Sequence, residues 1–179
     1  MEKEPMTPYG KLQLENELRH LLQVERHNII KDIEEARAHG DISENSEFED
    51  AKERQAMCEA RIRDLESKLS RAQVVDISRR EPDDKVIFGA KVNFISYDAK
   101  TDVEVEYDYQ IVGVDEADTQ QGKISYRSPI GQALLGKRVG EEVEVRTPSG
   151  ARLLSVEDVR YTADDSSEDS SDDSSDDSE

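Results

Sequence analysis

Residues 48–72 read FEDAKERQAMCEARIRDLESKLSRA. Phe48, Ala51, Gln55, Cys58, Ile62, Leu65, Leu69 and Ala72 follow one another at alternating steps of three and four. That spacing is a heptad seam, with Gln55 the one polar residue in it. A helix with such a stripe needs a partner to cover it. The partner lies upstream, where Leu14, Leu18, Leu21, Leu22, Ile29, Ile33 and Ala36 recur mostly three or four apart. Pro8 and Gly10 open this stretch, and no further proline interrupts it before Pro82. Two stripes joined by a short turn predict an antiparallel helical hairpin over about residues 8–75. Each arm has about 27 residues and is roughly 40 Å long at 1.5 Å per residue. A small core does not need that length, so the tip, near residues 39–47, is expected to project.

From about residue 80 to 161 the apolar period becomes two. Lys91–Tyr97, Val103–Tyr109, Glu142–Thr147 and Arg152–Val159 read as strands. Gly, Pro and Asp separate them, with a turn at Pro148-Ser-Gly150. Ser128 to Gly136 predicts a short helix: Ser128 as N-cap, Pro129 at the first helical position, Gly136 as the stop. The expected class is α+β: a coiled-coil hairpin (1–78), a small domain with an antiparallel sheet (79–162), and a tail (163–179). Residues 76–85 are expected to link the two domains.

The tail, ADDSSEDSSDDSSDDSE, has nine acids, no base and no apolar residue beyond Ala163. It cannot bury enough surface to offset its ordering entropy, so disorder is expected. The whole chain carries a formal net charge of −19 over 179 residues, with 37% charged and 34% apolar residues. Outside the tail, 34 acids still outweigh 24 bases. A protein that coats nucleic acid by bulk charge would be basic. The single cysteine excludes an internal disulfide and suits a reducing compartment. The N-terminal MEKEPMTPYGK has no apolar signal core, and no stretch approaches the roughly 18 apolar residues of a membrane span. A cytoplasmic protein is expected.

Between the two arms lies AHGDISENSEF, residues 38–48. Two readings are open. Gly40 ends the first helix and Asp41-Ile-Ser-Glu44 caps the second, with acids near its N-terminus favoured by the dipole. Alternatively, Asp41 and Glu44, three apart at a helix start, present two carboxylates to Mg²⁺. That ion takes one or two carboxylates, with waters and phosphate oxygens completing the shell. His20, His27 and His39 are scattered and complete no site. The remaining ligands would come from a partner.

Arg37-Ala-His-Gly-Asp-Ile-Ser-Glu-Asn-Ser-Glu-Phe48, Ala51-Lys-Glu-Arg-Gln and Cys58-Glu-Ala-Arg-Ile resemble the hairpin tip of bacterial Gre transcription elongation factors. Tyr109 to Asp118, Ile124 to Ile130 and Ala133-Leu-Leu-Gly-Lys137 resemble the C-terminal domain of the same family. The likeness covers residues 6–161, and Asp115-Glu-Ala-Asp118 is closer to the GreA branch than to GreB. It implies an FKBP-like second domain that docks on bacterial RNA polymerase through Ser128, Pro129 and Ile130. It also implies a hairpin that enters the secondary channel. There Asp41 and Glu44 help hold the second Mg²⁺ and position a water, and the polymerase cleaves its own backtracked transcript. On this reading the chain is an accessory factor, not itself an enzyme, and a monomer. It meets nucleic acid only within the elongation complex.

The resemblance assigns Arg37 and Lys52, one on each arm, to contact with extruded RNA; pairing on a solvated face is the alternative. Phe48 stands where the family carries an aromatic, and its heptad position favours packing. Cys58 lies on the seam and is expected to be a buried thiol. Arg61, Arg63, Lys68 and Arg71 are expected on a solvated face. Arg127 departs from the Asp or Asn common before the docking loop. Three rival readings remain: an inhibitory paralogue that blocks the channel, a coiled-coil adaptor without catalytic role, and a peptidyl-prolyl isomerase suggested by fold analogy alone.

Overall fold

The structure is a computed structural model that describes residues 2–39 and 46–162. The chain divides into two compact units between Val74 and Val75. The disorder expected of the tail concerns residues 163–179, which lie outside the described residues.

In the first unit, strand β1 (Glu4–Met6) leads into helix α1 (Pro8–His20). Thr7 caps α1, its side chain accepting from the Gly10 amide at 3.1 Å, with Pro8 at the first position. A five-residue π-helical segment, Leu21–Glu25, joins α1 to α2 (Arg26–Ala38). The other arm is the single 26-residue helix α3 (Ser46–Arg71), about 39 Å long. Strand β2 (Ala72–Val74) follows it and pairs in parallel with β1, Met6 opposite Val74.

The heptad seam is the buried seam. Ile29, Ile33, Ala51, Cys58 and Ile62 form one cluster, against which Leu18, Leu21, Leu22 and Phe48 pack. Met6, Leu14 and Leu65 form a second at the strand-closed end. Leu65 is fully buried, which stabilises by about 1.5–3 kcal/mol. Gln55, half-buried, accepts from Lys52 Nζ at 3.2 Å, so the polar seam residue keeps a partner. The arms are antiparallel, because Arg26 pairs with Glu59, Asp32 with Arg54, and Arg37 lies over Phe48.

Two features of this unit carried no sequence signal. The π turn contains neither Gly nor Pro. It brings His20 Nε2 within 3.3 Å of Glu25 Oε1, a five-residue spacing. The β1–β2 pair is only three residues long and joins segments from opposite ends of the hairpin sequence. Short parallel pairings leave no alternation to read.

The second unit is a five-stranded sheet of order β5-β4-β3-β7-β6. Its strands are β3 (Lys91–Asp98), β4 (Val103–Val112), β5 (Lys123–Ser125), β6 (Glu142–Thr147) and β7 (Gly150–Arg160), with helix α4 (Pro129–Leu134) between β5 and β6. The four strands expected from period-two patterning are present, and the short helix starts and stops as its residues dictate. The sheet is mixed, not antiparallel as expected: β5 runs parallel to β4, Ile111 opposite Ile124. The Gly113–Gly122 crossover turns through two short 3₁₀ segments, Val114–Glu116 and Thr119–Gln121, before β5. A three-residue strand is too short to show a period.

One sheet face builds the core. Val92, Phe94, Leu154 and Val156 project into it and meet Leu134 of α4, Val86 and Ala90. Phe94 stacks on Tyr107 at 5.5 Å and meets Tyr109 edge-on at 5.8 Å. The expected linker is not wholly solvated, because Ile77 is 6% exposed and belongs to this core. Arg138 closes the same region, paired to both Asp83 and Asp84.

Candidate functional site at the hairpin end and the Ser128 turn

At the hairpin end, Arg37 is in the last turn of α2 and Phe48 in the first turn of α3. The Arg37 guanidinium carbon is 5.9 Å from the Phe48 ring centroid, cation-π geometry between the two arms. Phe48 also packs on the Ile33/Ala51 cluster. The expectation that it packs the hairpin end therefore matches its place. Ala36 and Ala51, 3% and 1% exposed, let the helices approach just inside that contact. Lys52 is exposed and bonds Gln55 one turn on, along its own helix. Glu47 and Glu49 occupy the first turn of α3, where the helix dipole favours them.

Asp41 and Glu44, with the capping geometry considered for them, lie outside the described residues. Among the described residues, no group of three or more His, Cys, Asp or Glu side chains is arranged to hold a metal. In sequence, Arg37 stands four residues before Asp41 and Phe48 four after Glu44. The acids thus fall between two residues that the fold ties together. Two carboxylates are hard oxygen donors of the kind Mg²⁺ takes, and they leave most of an octahedral shell open.

Farther from that end, Arg26, Arg61 and Lys68 are tied into the rod. Arg61 donates to both carboxylate oxygens of Glu17, at 2.6 and 2.9 Å, and to Asp64 at 2.8 Å. Arg26 grips Glu59 in the same two-pronged way, at 2.8 and 2.9 Å. Asp64 also meets Lys68 at 3.1 Å. The hydrogen bond from Lys68 holds the Asp64 carboxyl below the usual range, with Arg61 adding to it. Cys58 is 8% exposed, and burial pushes its thiol up, as expected of a structural cysteine.

In the second unit, Ser128 organises the turn before α4. Its hydroxyl donates to the Ser125 carbonyl at 2.7 Å and accepts from the Gly131 amide at 3.0 Å. Gly131 is required here: a Cβ would sit 2.3 Å from the Ser125 carbonyl oxygen. Pro129 is exposed, while Ile130 packs partly against the core. Arg127 turns back on its neighbour, its Nε donating to the Tyr126 hydroxyl at 2.9 Å and its guanidinium 5.5 Å from that ring. Tyr126 in turn meets Phe88 edge-on at 5.8 Å. Sequence reasoning singled out Arg127 but not Tyr126, whose aromatic partner is distant in sequence. A cleft of about 440 Å³, lined by residues that include Asp118, Lys123, Ile124 and Ser128, adjoins the turn.

Two family models cover nearly all the described chain: "Transcription elongation factor, N-terminal" over residues 4–74, and "Transcription elongation factor, GreA/GreB, C-term" over residues 81–161. The chain belongs to the GreA/GreB family of transcription elongation factors. Within that family it is 49% identical over 161 residues to transcription elongation factor GreA of Rhodospirillum rubrum, covering 90% of this chain and 99% of that one. It is 51% identical to transcription elongation factor GreA of Azorhizobium caulinodans over the same shares. Among solved structures it is similar to the GreA factor homolog 1 protein of Thermus thermophilus: 29% identity, 88% of this chain, 99% of that chain, TM-score 0.39. No helix among the described residues is long and apolar enough to cross a membrane.

Proposed function

We propose that this GreA/GreB-family chain is a transcript-cleavage factor for bacterial RNA polymerase. Its hairpin enters the secondary channel, and its second unit, FKBP-like in this reading, docks at the channel rim through Ser128, Pro129 and Ile130. Asp41 and Glu44 are brought to the polymerase active site, where each offers carboxylate oxygens to a Mg²⁺ shared with the polymerase. That ion would stabilise charge on the attacking and leaving oxygens of an in-line displacement. Glu44 also orients the water, and Arg37 and Lys52 contact the extruded RNA. Such a factor works in the cytoplasm, beside its polymerase.

The observation that supports this most is the Arg37–Phe48 contact. It closes the two arms four residues outside each acid. A rod about 39 Å long gives the reach that entry into a channel requires. A cap that served only helix stability would need no such handle.

The test is cleavage of the nascent RNA in purified backtracked complexes, with and without the full chain. Faster cleavage supports the proposal. Binding without faster cleavage would mean that the chain blocks the channel, and no binding would remove the polymerase as partner. Deleting residues 163–179 and repeating the binding at low salt tells whether the acidic tail competes with nucleic acid, since long-range charge effects weaken with salt.

A further inference from the structure

The outer face of the five-stranded sheet, opposite the core, carries an ordered chemical pattern. The register sets Glu104, Tyr97, Leu153 and Glu144 in one row across β4, β3, β7 and β6. The next row is Glu106, Ile95, Ser155 and Glu142. Each row is thus apolar or neutral on the two central strands and acidic on both flanks. None of the four glutamates faces a basic residue across the strands. Leu153 is 37% exposed, and Glu104, Glu106, Glu142 and Glu144 are all exposed. Among the described residues the basic ones of this face stand at its ends: Arg146 beyond the first row, and Lys91, Arg160 and Lys123 beyond the Asn93 row. Arg160 is already tied to Asp108 and Asp158.

Helix α4 packs on the core face, and among the described residues of the unit no helix lies over this second face. A sheet with an apolar strip is completed by burying the strip under another element. Three inter-strand steps separate β4 from β6, roughly 14 Å. An α-helix with its side chains is about 10–12 Å across. One helix therefore fits lengthwise between the two glutamate flanks, its apolar side on Ile95, Tyr97 and Leu153.

We infer that this face docks an amphipathic helix of a partner protein that carries Lys or Arg along both edges of its apolar side. The acidic flanks select positive charge on either side of the strip and repel nucleic acid. The surface is distinct from the Ser128 turn, and the inference stands whether or not that turn docks a polymerase.

The test titrates the full-length ¹⁵N-labelled chain with a synthetic helical peptide of Leu and Lys in amphipathic order, followed by amide chemical shifts. A Lys/Ser peptide of equal charge and a single-stranded oligonucleotide serve as controls. Shifts are expected at Ile95, Tyr97, Leu153 and Ser155, with the Lys/Ser peptide and the oligonucleotide leaving those amides unmoved. Glu104→Lys with Glu144→Lys should weaken binding by about tenfold or more. Leu153→Ser should weaken it at unchanged melting temperature. If the charge reversals perturb the fold, Glu104→Gln with Glu144→Gln must show the same direction. Shifts confined to residues 163–179 or to the hairpin would overturn the inference. So would equal binding of the Lys/Ser peptide, or self-association that broadens the same amides without peptide.

Discussion

The Arg37 guanidinium lies over the Phe48 ring at 5.9 Å and joins the end of α2 to the start of α3. Arg37 is exposed and Phe48 half-buried, so the contact should contribute about 0.5–1 kcal/mol beyond the burial of the ring. Arg37→Ala and Phe48→Ala should each lower stability in urea unfolding. Their double-mutant cycle should show coupling of that size, while Phe48→Tyr should be near neutral. Additive single effects would mean the two side chains do not act together.

Gly131 allows the chain to pass against the Ser125 carbonyl, 2.3 Å from where a Cβ would stand. Backbone must move to admit a methyl group there. Gly131→Ala should cost about 1–3 kcal/mol and loosen the Ser128 turn, read as faster amide exchange at Gly131. Gly136 has open space around its Cβ position but a φ of 82°, so Gly136→Ala should cost less, about 1 kcal/mol.

Arg61 joins the arms through Glu17 and its own helix through Asp64. The side chains are about two-fifths exposed, so solvent screens the pair and its coupling should be about 0.2–1 kcal/mol. Arg61→Lys removes the two-pronged geometry and should lose most of that coupling despite keeping the charge. A cycle with Glu17→Ala, run at low and high salt, measures it, and the coupling should shrink as salt rises.

Among the described residues Asp64, Asp76, Asp83 and Asp98 are all held below the ordinary carboxylate range, and Asp64 and Asp98 set part of the acid limb. Lys68 holds Asp64 low, and the Lys100 amide, at 2.9 Å, holds Asp98 low with help from Arg152. A carboxylate lowered in the folded state contributes stability above its unfolded value of about 3.9 and loses it as pH falls through the lower folded value. Melting temperature should therefore fall below about pH 4. Asp64→Asn and Asp98→Asn should each flatten that limb and lower stability at neutral pH. An unchanged limb would show that these groups titrate alike in both states.

The seam from Phe48 to Ala72 was legible because burial in a two-helix rod depends only on spacing, and spacing is written in the chain. The strands of the second unit were legible for the same reason, at period two. What was not legible depended on partners far away or on very short elements. β1 meets β2 from the far end of the hairpin, β5 has three residues, and Ile77 is buried by a core that forms mostly after it. The π turn has no residue signature at all. At the candidate site, the cap at Ser128 followed from local rules, and Phe48 from its heptad place. Tyr126 did not, because its role comes from Phe88 and Arg127 in three dimensions. The roles proposed for Asp41 and Glu44 rest on resemblance, since two acids at a turn serve a cap and a metal equally well.

The most direct measurement is the rate of nascent-RNA cleavage in purified backtracked polymerase complexes with the full chain and its Asp41→Ala/Glu44→Ala variant, at saturating and equal occupancy. The account predicts stimulation by the wild type, and for the variant a fall to the rate of polymerase alone, with the helical circular dichroism of the rod retained. A variant that binds and still stimulates cleavage at the wild-type rate would contradict it.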